Sequence, residues 1–334
     1  MSESSIRAPT SRGAAASEGL RGVVRKVGAI DEIGVIAALV VLCAFLAVAS
    51  DKFLTIDNFI NVSRQASYVG IMAVGMVFVI SMGDIDLSVG SILMLSSISM
   101  AVALREGQHI VFAVVLGLLV ATACGLANGV LAVLLRIPTI IVTLGTLSIF
   151  RGLGLVISDA SPVSGHDIRT WFFTWIGGRV LGVWTSVWIM LAVCLLGWVL
   201  YSHTSFGRRV QAIGSNLQAA RFSGVRVSRY RIMVMALMGF IVGIASVTVL
   251  AFNRNGSPTV GVGIELSVIA ATIIGGTALT GGSGSVLGAV LGAIIIAFIQ
   301  NGLALLAVSP AWSTAATGVV IIIAVTLDYL IKRR

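Results

Sequence analysis

The sequence predicts an all-α, polytopic membrane protein of about ten transmembrane helices, with both termini on the cytoplasmic side. Two observations carry that prediction. The chain is 57% hydrophobic and 10% charged, with a mean hydropathy of +1.06, whereas a soluble domain carries about a quarter charged residues. Its net charge of +9 is concentrated in an N-terminal tail, in the stretch from His203 to Arg231 and in Lys332-Arg333-Arg334. Basic segments between long apolar runs mark the cytoplasmic face of a membrane.

Crossing the hydrocarbon as a helix takes about 20 apolar residues. On that rule the spans fall at roughly 30–50, 66–83, 87–104, 110–135, 138–157, 182–201, 231–252, 265–280, 285–307 and 312–331. Residues 1–29 read as a mobile cytoplasmic tail. They carry Arg7, Arg12, Arg21, Arg25 and Lys26 and have no apolar core ending in a cleavage site, so they are not a signal peptide. Residues 30–331 then form one transmembrane domain, interrupted by a cytoplasmic loop over 203–230. With the N-terminus inside, the loops at 51–65, 105–109, 158–181, 253–264 and 308–311 face out. The tail, the 83–87 turn, Arg136, the 203–231 loop and the C-terminal basic triplet face in. Ten spans place every strongly basic segment inside; nine or eleven do not. The stretch 66–104 reads either as two full spans or as a broken helix dipping to mid-membrane.

Glycine contributes 38 residues. Gly288 and Gly292 lie four apart, as do Ala289 and Ala293, which gives one helix a small face that a neighbour can approach closely. Met76–Met94 and Thr272–Leu291 are weakly alike. Each runs from an apolar helix through a polar, glycine-rich break into a Ser-containing helix, and corresponding interrupted helices in two halves point to a transport site.

Several function classes are excluded. No Gly-x-x-x-x-Gly-Lys-Ser/Thr motif is present, so no nucleotide binds through a P-loop. His109, His166 and His203 fall in different loops and cannot converge on a metal. No catalytic set and no cofactor or metal site is expected, and the basic residues serve membrane orientation, not nucleic acid. Cys43, Cys124 and Cys194 each fall within an apolar span, without ligand spacing, and pack as small hydrophobes.

Ionisable groups within spans are costly and default to functional candidates. Asp84 and Asp86 flank Ile85 in a Gly-bounded break that ends at Ser88. They either cap the helix starting at Val89 or line the inner end of a path. Arg151 follows Thr143, Thr146 and Ser148; it either lines an aqueous cavity or pairs with Glu265, which opens another span from the same side. Uncharged polar groups recur inside the spans, among them Asn128, Thr139, Thr143, Thr146, Thr272, Thr277, Gln300, Asn301 and Thr314. They suit a neutral polyhydroxylated substrate, and the same groups also stitch helices together. Asp84, Asp86, Ser88, Asn128, Thr143, Thr146, Arg151, Glu265, Thr272 and Asn301 are the candidates for a translocation path.

The segment from His203 to Arg231 carries Arg208, Arg209, Arg221, Arg226, Arg229 and Arg231 and no acid. Its middle, Gly214 to Gly224, reads as a short helix. Ser215 or Asn216 can cap it, Gln218 to Phe222 are competent helix formers and Gly224 can end it. A capped helix held just outside the bilayer by a basic loop is a docking element or an ordinary connector.

Three ordered motifs resemble the ribose/xylose-type sugar permease family, the membrane subunits of bacterial ATP-binding-cassette importers related to the branched-chain amino-acid permeases. They are Gly83-Asp-Ile-Asp-Leu-Ser-Val-Gly-Ser91, then Gly207-Arg-Arg-Val-Gln-Ala-Ile-Gly-Ser-Asn216 with Gln218-Ala-Ala-Arg-Phe-Ser-Gly224, and Glu265-Leu-Ser-Val-Ile-Ala-Ala followed by Gly275-Gly-Thr-Ala-Leu-Thr-Gly-Gly-Ser-Gly284. The resemblance covers about residues 30–331. It implies a multi-pass protein of the bacterial inner membrane that is not itself an enzyme. It also implies a cytoplasmic ATPase subunit, a periplasmic sugar-binding protein and a second permease copy, identical or closely related, packed in the lipid. By the same resemblance Gly214, Ser215, Asn216, Gln218, Ala219, Ala220, Arg221 and Gly224 form the ATPase-coupling element. Ala219, Ala220 and Gly224 match the Glu-Ala-Ala-x-x-x-Gly signature of importers. Gln218 stands where glutamate is usual, and the distal Ile-x-Leu-Pro part is missing.

Related importers carry branched-chain amino acids or nucleosides, and a zwitterion needs paired charges that only Arg151 and Glu265 supply. An ion-coupled secondary transporter would instead use Asp84 and Asp86 as its cation site.

Overall fold

The computed structural model describes residues 32–164 and 167–309, with isolated residues between 312 and 326. The tail 1–29, His166, Thr314, the C-terminal basic triplet and most of the span expected over 312–331 lie outside the described residues.

Eleven α-helices follow in order among the described residues. They are α1 (Glu32–Ala49), α2 (Ile56–Ser81), α3 (Val89–Arg105), α4 (Ile110–Leu135) and α5 (Thr139–Ile157). A π-helical turn (Phe172–Ile176) and a two-stranded hairpin of β1 (Arg179–Val180) and β2 (Val183–Trp184) come next. Then come α6 (Thr185–Trp198), which continues as a π turn to His203, α7 (Ser205–Ser215), α8 (Leu217–Phe222), α9 (Val227–Asn253), α10 (Ile264–Ile274) and α11 (Val286–Leu305). Six of these segments are long and apolar enough to cross a membrane: α2, α4, α5, α6 with its π turn, α9 and α11.

The bundle is organised around α2 and α9. From Ala66 onward nearly every residue of α2 is buried, and α9 packs against α2, α3 and α4. Lipid offers no hydrophobic drive for helices to associate, so close approach through small residues takes that role. Gly125 of α4 and Gly239 of α9 lie backbone to backbone; a Cβ added at Gly125 would collide with the Met235 carbonyl oxygen. Gly288 and Gly292 of α11 sit in the same way against the backbone of Gly275 and Ala271, so the small face expected on that helix is a packing face.

Three expectations change. Helix α2 starts ten residues earlier than the span expected at 66–83, because Thr55 caps it by accepting from the Asn58 amide at 3.4 Å. Most of the loop expected at 51–65 is therefore helix. The stretch 66–104 holds two helices joined by a non-helical segment: α2 ends at Ser81, residues 82–88 run without helix, and α3 begins at Val89. The span expected over 265–280 is helical only from Ile264 to Ile274. Eleven residues reach about 16 Å, roughly half of the hydrocarbon thickness, and the glycine-rich remainder turns instead of continuing.

Candidate functional site: where the basic segment meets two broken helices

The basic segment folds into two helices, not one. Thr204 caps α7, its hydroxyl accepting from the Gly207 amide at 3.3 Å, and α7 buries Gly207, Val210 and Ile213. Gly214 and Ser215 belong to the last turn of α7, a correction to the single helix expected from Gly214. The chain breaks at Asn216, whose Oδ1 accepts from the Ala219 amide at 2.9 Å and starts α8. Gly224 ends that helix with φ +80, and the Gly224 and Val225 amides return to the Arg221 and Ala220 carbonyls. This is the left-handed termination that glycine adopts without steric cost.

Helix α8 presents nearly all its side chains to the outside. Ala220 is buried, whereas Gln218, Ala219 and Arg221 are exposed and Phe222 is 91% exposed. Phe222 therefore packs against little else in the chain. Residue type alone had not singled it out, because so short a helix has no hydrophobic periodicity to read.

Gly214 is the junction. A Cβ there would strike the Ser81 carbonyl oxygen and the Gly282 amide nitrogen. Those two groups bond to each other, Gly282 N–H to Ser81 C=O at 2.8 Å, and the Ser81 hydroxyl reaches the Ser283 carbonyl at 3.3 Å. The two similar glycine-rich breaks, after α2 and after α10, thus meet at the last turn of α7. On the other flank of the basic segment, Arg231 of α9 donates through Nε to Asp84 Oδ2 at 2.8 Å, and Thr139 donates to Asp84 Oδ1 at 2.9 Å. The basic segment is therefore held against the first break near its middle, at Gly214, and at its C-terminal end, at Arg231.

Beyond Asp84 the first break rises into the bundle. Asp86 Oδ1 accepts from the Ser88 amide at 2.8 Å and the Ser88 hydroxyl at 2.6 Å, which closes an Asx turn just ahead of α3. Asn128 donates to Ser88 Oγ at 2.7 Å. Asn128 lies seven residues before the end of α4, about 10 Å along its axis. The 83–87 segment is thus not a surface turn: Asp86, Ser88 and Asn128 are fully buried. The second Asp86 oxygen and the Asn128 carbonyl have no partner among the described residues, so both retain acceptor capacity.

The remaining path candidates bond within their own helices or to a neighbouring segment. Thr143 bonds to the Ile85 and Ile140 carbonyls, Thr146 to the Thr143 carbonyl, and Thr272 to the Val268 carbonyl. Asn301 and Asn58 exchange two hydrogen bonds, at 3.1 and 2.8 Å, and fasten α11 to α2. Arg151 and Glu265 form no ion pair; among the described residues the pairs are Arg105–Glu106 and Arg231–Asp84. Glu265 instead lies beside Gly90, at the start of α3.

Apolar spans, two interrupted helices meeting at one point and a basic segment wedged against that point define a multi-pass membrane permease. The chain belongs to the family described as branched-chain amino acid transport system / permease component, whose model matches residues 58–325. It is 40% identical over 281 residues to the ribose import permease protein of Escherichia coli (strain K12), covering 84% of this chain and 88% of that one. The ribose import permease protein of Bacillus subtilis (strain 168) is 39% identical over 276 residues, covering 83% and 86%. The D-allose transport system permease protein of Escherichia coli (strain K12) is 37% identical over 282 residues, covering 84% and 86%.

Proposed function

We propose that this chain is the inner-membrane permease subunit of an ATP-driven importer and forms the translocation path for a monosaccharide of the ribose type. The observation that carries the reading is the junction at Gly214, where the basic segment touches both broken helices. A push on that segment reaches both breaks without an intermediate element. The curated relatives named for ribose and allose supply the substrate class. The same relatives favour a sugar over a zwitterionic amino acid, and Asp84 is held by Arg231 and Thr139 instead of standing free for a cation.

In this reading ten spans place both termini and the 203–230 loop in the cytoplasm. ATP is hydrolysed on a separate ATPase chain that docks on α8, a periplasmic binding protein delivers the sugar, and a second permease copy completes the path. Residues Gly214, Ser215, Asn216, Gln218, Ala219, Ala220, Arg221 and Gly224 transmit the stroke, with Phe222 added as anchor. Asp84, Asp86, Ser88 and Asn128 flank the moving break.

Affinity purification of the tagged chain from native membranes tests the assembly. The expected result is a co-purifying ATPase chain with hydrolytic activity and two permease copies per complex. A chain recovered alone and without hydrolysis would overturn the reading.

A further inference from the structure

A cavity of about 370 Å³ opens between α2, the loop before α10, α10 itself and α11. Its polar lining comes from Gln65 and Tyr68 of α2, Thr259 of the loop, Ser267 of α10 and Gln300 of α11, and no charged side chain lines it. Of these five, only Gln300 stood among the span polar groups that the sequence suggested for a polyhydroxylated substrate. We infer that this cavity is a transit site for one neutral monosaccharide; the inference rests on the importer reading and names where within the path the sugar pauses.

The chemistry of the lining selects the ligand. A sugar hydroxyl both donates and accepts, and a glutamine amide offers both functions on one side chain. Gln65 makes no hydrogen bond to the described residues, and Gln300 makes one, a long bond of 3.4 Å to Ser267 Oγ. Both amides therefore hold most of their capacity in reserve. A charged or zwitterionic ligand would find no counter-ion in the lining itself, the nearest cation, Arg64, being engaged behind Tyr68 with its hydroxyl at 3.4 Å. An apolar ligand would leave the amides unpaired. The volume lies at the lower end of small-molecule sites, which suits a single sugar ring.

The cavity is also mechanically connected. Its wall at Gly261 presses on the backbone of Gly90, so closely that a Cβ on either glycine would collide with the other's backbone. Gly261 has φ +76, so a side chain there would be strained as well as crowded. Gly90 is the second residue of α3, directly after the break that Asp84 and Asp86 control. A movement begun at Gly214 or Arg231 passes along 82–88 to Gly90 and reshapes the cavity wall. Grip and release of the sugar follow from that displacement.

The test uses the complete complex in proteoliposomes, with binding protein, labelled ribose and ATP. Gln65→Leu and Gln300→Leu each remove an amide while keeping comparable bulk, and Gln300→Glu adds a charge. Each Leu variant is expected to lower uptake at subsaturating sugar about three- to tenfold, the range of one lost neutral hydrogen bond. Basal ATP hydrolysis without sugar, together with the unfolding temperature of the purified permease, reports whether each variant is folded and assembled. Uptake equal to the wild type in both Leu variants and in Gln300→Glu, with hydrolysis intact, would overturn the cavity assignment while leaving the importer reading in place. Failure of the wild-type complex to take up any sugar would instead overturn the importer reading.

Discussion

Replacing Phe222 by alanine is expected to loosen the ATPase from the permease by about 2 kcal/mol, roughly a 30-fold weaker association. The residue is 91% exposed, at the end of a helix fixed by the Asn216 cap and the Gly224 termination. A phenylalanine buries 150–250 Å² when it enters a pocket, so its removal should be felt in the dissociation rate and in sugar uptake. Thermal stability of the permease alone should not change, because Phe222 supports nothing within the chain. Ala220 makes the contrasting control. It is 5% exposed, so a bulky charge there would damage the permease itself. Titration of the purified permease with the ATPase, read by ATP hydrolysis, checks the prediction. Unchanged affinity in Phe222→Ala would remove α8 as the docking helix.

The second large effect is expected at Asp84. Asp84→Asn leaves Arg231 without its charge partner, in a pair whose side chains are 7% and 26% exposed. Breaking a fully buried pair costs about 3–5 kcal/mol. The partial exposure of Arg231 lets water compensate some of that, so roughly 2–3 kcal/mol is expected here. The purified variant should unfold at lower temperature, and its ATP hydrolysis should lose part of its dependence on loaded binding protein, because the basic segment is then tied to the first break only through Gly214. Combining Asp84→Arg with Arg231→Asp should recover part of the loss. If the two single substitutions add with no recovery, the pair is not the link between the break and the base of α9.

Much of this arrangement was legible in the chain. Hydropathy located α4, α5 and α9 within a few residues of their observed bounds, because each is apolar around its whole circumference. Depth was not legible. Charge balance assigns a segment to a side of the membrane and says nothing about how far it sinks, so the 83–87 segment read as a surface turn although Asp86 is buried beside Ser88. The start of α2 was hidden because Asp57 and Arg64 lower its hydropathy, and Thr55 caps it regardless. Composition continued the 265–280 span through Gly275 and Gly276, where only three-dimensional packing of Gly288 against Gly275 shows that the chain turns. The Asp84–Arg231 pair joins positions 147 residues apart, and no local pattern links them. The cavity is less legible still, since Gln65, Ser267 and Gln300 come from three helices and each alone is an ordinary polar residue.

The most direct test of the central claim is ribose accumulation by proteoliposomes holding this chain and its ATPase, with binding protein on the outside. Accumulation that requires ATP in the lumen and the loaded binding protein outside, and that ignores proton and sodium gradients, is the predicted result. Accumulation that proceeds without ATP and follows an imposed ion gradient would contradict it.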